Sequence, residues 1–367
     1  MKLFDLPQEL WDEIFTFACT DGGFTGCSLS LVSQYIRNVS EPTRLHSIFL
    51  RTSIHRLSNM EVLVQMLERR QPGHFHTRHL FVEFAGDLPT SDLASVLVDV
   101  ESQATSPAED PPGFPRTTIT KEALVDLNRL LSRVLRAISP TLVGLTLYLG
   151  ANLPLSNITT FLPRLEELTV HAQADNNEDD TPLISQQSSF VPFEFAKRIH
   201  IACPDRPFSR IFNKYIMTAS TSCPHLTHLR ISGLRKSFKA IDVATAIGVH
   251  APRLDPTPET DSRIPSFPPS LHTLVIQRSP NPALYRRHED AENRITGYIQ
   301  DVMYQADLLT WHTMTWNPHP KLIVVKAREC LDEGTTYSLE DAKDEWLDRV
   351  GGGVGCWVDE TTFLGLP

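Results

Sequence analysis

Two groups of side chains in this 367-residue chain have the types and spacing to do chemistry. The first is a stripe of polar residues that alternate with aliphatic ones: Thr146 and Tyr148, Thr169 and His171, Arg198 and His200, His228 and Arg230, then Val275 and Gln277. Guanidinium, imidazole and phenol groups gathered on one surface can hold a carboxylate or phosphate through charge-assisted hydrogen bonds. Tyr148, His171, Arg198, His200, His228 and Arg230 are therefore candidate contacts for an acidic or phosphorylated protein segment, with Arg198 and Arg230 as the main donors. The competing reading is a solvated strand face. The second group is Cys203, Cys223, His225 and His228, which can be counted as zinc ligands. Only the Cys-x-His-x-x-His portion is local, and structural zinc sites want a tight pair at each end. Cys203 and Cys223 read better as small buried hydrophobes. No metal and no cofactor is expected.

Three weaker patterns lead nowhere catalytic. HFHTRHL (74–80) clusters His74, His76 and His79 without a thiolate or carboxylate at ligand spacing, and reads as a solvated loop. GGGVG (351–355) follows a helical pattern instead of opening one, and no Lys-Ser or Lys-Thr succeeds it, so it is a helix stop and not a phosphate loop. No Gly-x-Ser-x-Gly occurs, and Glu166-Glu167 sits in a solvent-facing frame between Leu165 and Leu168. The chain is not expected to be an enzyme.

The elements that would position the polar stripe are short strands. A phrase recurs: Pro, any residue, Leu, two of any kind, Leu, any residue, aliphatic. It appears as PTLVGLTL (140–147), PRLEELTV (163–170), PHLTHLRI (224–231) and PSLHTLVI (269–276). AKRIHI (196–201) is a weaker copy, and RHLFVEF (78–84) and PKLIVV (320–325) are candidate outer copies. Side chains alternate along a strand. Leu145, Leu147 and Leu149 then point inward, as do Leu168 with Val170, Ile199 with Ile201, Leu229 with Ile231, and Leu274 with Ile276. Helical patterns lie between: Leu124, Leu127, Leu131, Val134, Leu135 and Ile138; residues 208–216; residues 291–306; and Asp341 to Val350, with Trp346, ending at glycines 351–353. Strand and helix in alternation predict an α/β fold with a parallel sheet and right-handed crossovers. Repetition, with no glycine-rich phosphate loop after any strand, predicts an irregular solenoid. Loops are expected at 102–118, 173–182 and 252–270, where Pro, Ser, Thr or acidic residues dominate.

The N-terminus differs. In LFDLPQELWDEIFTF (3–17), Pro7 suits a helix start and Asp5 an N-cap. Leu6, Leu10, Ile14 and Phe17 fall on one edge of the apolar arc, with Trp11, Phe15 and Ala18 on the other. That arc covers roughly half the circumference, wider than the ~100° stripe that serves one core. A turn, TDGGFTG (20–26), leads to a second helix with Leu29, Val32, Ile36 and Val39 in register, closed by Ser40, Glu41 and Pro42. A linker helix is expected within 51–74, capped by Ser58 with Glu61.

Bulk properties set limits. The chain is 41% hydrophobic and 21% charged, with a net charge of −10. An acidic chain is poorly suited to nucleic acid, so no nucleic-acid partner is expected. Six scattered cysteines suit free thiols in a reducing compartment. No stretch approaches the ~20 apolar residues of a membrane span, and the first residues lack a signal-peptide plan. A cytoplasmic or nuclear location without membrane contact follows as the expectation.

Residues 3–50 resemble an F-box. The matching residues are Leu6-Pro7-Gln8-Glu9-Leu10, Ile14-Phe15 and Leu29-Ser30-Leu31-Val32-Ser33. Residues from about 75 to 350 resemble a degenerate leucine-rich-repeat array of the kind found in fungal F-box proteins. The asparagine that usually turns the chain after each strand is replaced by Gly150, Gln173, Leu234 and Ser279. The resemblance implies an F-box domain (1–50), a linker helix (51–74), a leucine-rich-repeat-like domain (75–350) and a C-terminal tail (351–367). It further implies the substrate-recognition adaptor of an SCF-type ubiquitin ligase. The F-box would bind a Skp-type adaptor joined to a cullin ligase core, and the repeats would hold a protein substrate. Leu6, Pro7, Leu10, Ile14, Leu29, Val32 and Ile36 would form the adaptor contact or the packing that presents it. The alternative is a non-catalytic interaction scaffold outside ubiquitin ligation.

Overall fold

The computed structural model describes residues 6–52, 57–69, 76–84, 121–149, 160–172, 193–202, 223–234, 267–278, 321–325 and 338–357. The fold is mixed α/β. Its centre is an eight-stranded sheet: β1 (Ser47–Thr52), β2 (His79–Phe84), β3 (Gly144–Leu149), β4 (Glu167–Ala172), β5 (Arg198–Ala202), β6 (His228–Leu234), β7 (Thr273–Arg278) and β8 (Lys321–Val325). Spatial order follows chain order, and every neighbouring pair is parallel.

The recurring phrase explains this regularity. In three copies its proline sits in a tight turn just before the strand. Leu165 N donates to Leu162 O (3.2 Å), Leu226 N to Cys223 O (3.1 Å) and Leu271 N to Pro268 O (3.0 Å). Pro163, Pro224 and Pro269 take the second position of those turns, where a fixed φ near −65° is favourable. The next leucine (Leu142, Leu165, Leu226 or Leu271) drops into the core before the strand begins. The carbonyl preceding each strand then accepts two amides from the entry to the next. Val143 O accepts from Glu166 N and Glu167 N, Glu166 O from Lys197 N and Arg198 N, and Lys197 O from Thr227 N and His228 N. His46, Arg78 and Thr227 carbonyls do the same at their own steps. Six such contacts, one at each step from β1 to β7, set the register at the strand entries.

The alternation places the inward set as expected, apart from Leu149, whose side chain lies outside the described ones. Leu145, Leu147, Leu168, Val170, Ile199, Ile201, Leu229, Ile231, Leu274 and Ile276 join a single apolar cluster. Among the described residues two helices pack on it: α4 (Leu57–Glu68), through Met60, Leu63, Val64 and Leu67, and α5 (Lys121–Ile138), through Leu127, Leu130, Val134, Leu135 and Ile138. The expected helices at 208–216 and 291–306, the loops at 102–118 and 173–182, and residues 252–266 of the third loop lie outside the described residues. The end of that third loop is ordered as the turn before β7, with Phe267 buried.

Before the sheet come three short helices, α1 (Gln8–Ala18), α2 (Phe24–Val32) and α3 (Gln34–Val39). Four expectations are corrected here. The helix pictured through Leu29, Val32, Ile36 and Val39 is two helices, because Ser33 is extended and its hydroxyl accepts the Ile36 amide at 3.1 Å, capping α3. Helix α2 begins at Phe24, inside the expected turn, once Gly22 and Gly23 have supplied positive φ. Pro7, not Asp5, is the residue ahead of α1. Ser58 lies inside α4, so it cannot cap it; a capping box instead opens α6 (Leu339–Val350), where Ser338 and Asp341 exchange bonds.

The helical unit is not separate from the sheet. Its expected span reaches residue 50, yet β1 begins at Ser47. Gly22 N donates to Ser47 Oγ (2.9 Å), Ser47 Oγ to Cys19 O (2.8 Å) and Phe49 N to Gly22 O (3.0 Å), so the glycine turn covers the outer edge of β1. Gly26 permits α2 to lie against the chain entering β1. A Cβ there would stand 1.9 Å from Arg44 O and 2.7 Å from its carbonyl carbon. Gly26→Ala is expected to cost about 2 kcal/mol or more, since backbone must retreat on one side. A shift of the urea midpoint to lower concentration, with unchanged slope, is the measurement.

Candidate functional site

The strand alternation brings all six candidate target contacts onto one face of the sheet, but that face is roofed. Helix α6 lies across it, and an apolar cluster forms from Phe81, Ala202, Ala342, Trp346 and Val350, with Phe49, Tyr148, Leu339 and Leu347 at its margin. Trp346 meets Phe81 edge-on at 5.5 Å. An ionic clasp adds to this: Arg349 Nε donates to both oxygens of Glu167 (2.9 and 2.8 Å), and Arg198 Nη1 donates to the same carboxylate at 2.8 Å.

The expectation of an open polar face is therefore corrected. His171, His200 and Arg230 are buried, and Tyr148, Arg198 and His228 are half-buried. Arg230 donates to Gln277 Oε1 (2.7 Å), to Ser232 Oγ (3.2 Å) and to the carbonyl of Cys356. Ser232 Oγ also meets His200 Nε2 at 2.9 Å. The rings of Tyr148, His171 and His200 follow one another at 5.4 and 5.6 Å. Guanidinium and imidazole groups expected to meet a ligand are occupied by the chain itself. The signal for the roof was in the sequence: Ala342, Trp346 and Val350 share one side of a helix, so that side needed a surface to cover.

Burial sets the protonation of this region. His171 is pushed down to about 3, first by desolvation and then by the Arg230 charge. His46 and His79, whose rings stand 5.7 Å apart near the strand entries, are each pushed down to about 4, chiefly by burial, with Arg78 adding repulsion. Both fall below the ordinary 6.5, so folding favours their neutral forms. Their contribution is complete above about pH 6.5 and is lost as pH falls towards 4. Acidification across that window is expected to reduce stability by on the order of 1 kcal/mol for each histidine, allowing for solvent screening. Urea midpoints at the two limits check it, and His46→Gln with His79→Gln flattens the difference.

The second surface is on the helical unit. Its own core is small: Trp11, Phe15 and Ile36, with Leu6, Leu29 and Val39 packed against them. Trp11 stacks on Phe15 at 5.1 Å. Of the residues expected to face a partner, Leu6, Leu29 and Ile36 are drawn towards this core, while Pro7, Leu10, Ile14 and Val32 are exposed. Leu10 is 43% exposed and Ile14 48%, one helical turn apart on α1. Phe17, Phe24 and Leu31 extend the exposed apolar set, and sequence reasoning had not named them as contacts.

Among the described residues, no helix is long and apolar enough to cross a membrane. No protein-family model matches the chain, and no curated protein matches it.

Proposed function

We propose that this chain is a substrate-recognition adaptor of an SCF-type ubiquitin ligase. In this reading α1 to α3 act as an F-box that docks a Skp-type adaptor linked to a cullin core. The sheet and its helices act as an irregular leucine-rich-repeat-like solenoid that holds a target protein. The observation that carries the reading is the exposure of Leu10 and Ile14 on a helix whose other edge, Trp11 and Phe15, is buried. Such a helix has one apolar edge committed to its own unit and one left for a partner. Strands stacked in chain order, with a like tight turn before β4, β5, β6 and β7, support the repeat part of the reading.

The mechanism is proximity, with the bond-forming chemistry supplied by the partner enzyme. Titration calorimetry of the full chain against a purified Skp-type adaptor, under reducing conditions, tests the docking step. Saturable one-to-one binding is expected. Folded chain that does not bind removes the ligase role and leaves an interaction scaffold.

A further inference from the structure

Beneath the roof, three side chains of different chemistry converge. One donor atom each from His200, Glu345 and Cys356 lies within 4.8 Å of the other two. They come from three elements: His200 from β5, Glu345 from α6, and Cys356 from the turn that follows α6. The turn is built to return the cysteine to the sheet. Gly352 and Gly355 both take positive φ, and Gly355 N donates to Asp348 Oδ2 at 2.7 Å. Arg230 then holds the Cys356 carbonyl. His200 and Cys356 are buried and Glu345 is half-buried. The ring of His200 is held by Ser232. A cavity of about 30 Å³ adjoins all three and is also lined by Thr146 and Thr169.

We propose that His200, Glu345 and Cys356 bind one zinc ion that fastens the α6 roof to the sheet. Bond lengths of roughly 2.0–2.3 Å put tetrahedral ligand atoms roughly 3.3–3.8 Å apart, so the site closes by small side-chain rotations. A sulfur, nitrogen and oxygen donor set suits zinc, whereas calcium and magnesium want oxygen alone. The cavity has room for about one water in the fourth position. As the Sγ–Zn bond forms, the S–H bond breaks and its proton leaves to solvent; no electron is transferred. Zn²⁺, thiolate and carboxylate sum to zero charge, which a largely buried site tolerates. This inference stands apart from the ligase reading, since no adaptor contact is part of the site and His200, a candidate target contact by sequence, is buried beneath the roof.

Cobalt titration of the full chain, freed of metal with a chelator and kept reduced, tests it. One equivalent of Co²⁺ is expected to give the thiolate-to-cobalt charge-transfer band and the visible bands of a tetrahedral ion. Added Zn²⁺ is expected to bleach them. Cys356→Ser is expected to lose the charge-transfer band. Glu345→Gln, near-isosteric at a half-buried position, keeps the band at saturation but binds about tenfold or more weakly. A wild-type chain without the band overturns the proposal, as does a band that survives in Cys356→Ser, since another thiol is then the ligand. If Cys356→Ser does not fold by circular dichroism, Glu345→Gln decides alone: unchanged affinity overturns the site, and weakened affinity upholds it.

Discussion

Leu10→Ala combined with Ile14→Ala is expected to abolish capture of a Skp-type adaptor while leaving the unfolding transition in place. The two halves of this result have different causes. In the free chain both side chains stand in water over nearly half their surface, so truncation removes little folding energy. In a complex they would be central apolar anchors, and anchors of that kind commonly cost ~2 kcal/mol or more each. Their joint loss of about 4 kcal/mol corresponds to roughly a thousandfold in dissociation constant. Phe15→Ala is the instructive contrast. Phe15 is 3% exposed and stacked on Trp11, so its truncation lowers stability and binding together. Calorimetry and urea denaturation on the same preparations separate the two outcomes. Wild-type affinity in the double variant would defeat the docking assignment.

Arg230→Glu is expected to destabilise the fold by about 4 kcal/mol or more. Arg230 is 1% exposed, and the Gln277 carbonyl oxygen and the Cys356 carbonyl both point at its guanidinium. Reversal would place a carboxylate against those oxygens with no counter-ion, an unpaired buried charge. Arg230→Met keeps the volume and leaves the acceptors unsatisfied, and about 2 kcal/mol is expected for it. Arg198→Glu should cost less. Arg198 keeps about a third of its side chain in solvent, and its partner Glu167 retains Arg349. Equal sensitivity of the two arginines in urea titrations would contradict the roofed arrangement.

That contrast marks where the sequence was readable and where it was not. Leu145 with Leu147 and Leu229 with Ile231 alternate at strand period, and each buried partner was correctly placed because a sheet offers only two faces. The polar residues between them were also placed on one face, but their solvent exposure was not legible. Exposure depends on what lies above the sheet, and Arg349 of α6 is separated from Glu167 by 182 residues. Strand β1 was missed because its proline, Pro42, stands one residue too early for the repeated phrase, although Leu45, Ile48 and Leu50 fit it. The break at Ser33 was hidden by Ile36 and Val39, which hold helical spacing with Leu29 across the interruption. Of the proposed adaptor contacts, the apolar types were evident, whereas the split between exposed Leu10 and buried Ile36 needed the third helix in place.

The clasp between Glu167 and Arg349 bears on how the chain matures during synthesis. Strands β1 to β7 can be added in order as the polypeptide leaves the ribosome, each pairing with the one just made. Helix α6 emerges only afterwards and must travel back to β2, β3 and Glu167. Contacts so distant along the chain form slowly. Until they do, Phe81 and the buried imidazoles remain bare, and a nascent protein in that interval presents a sticky surface to chaperones and to its neighbours.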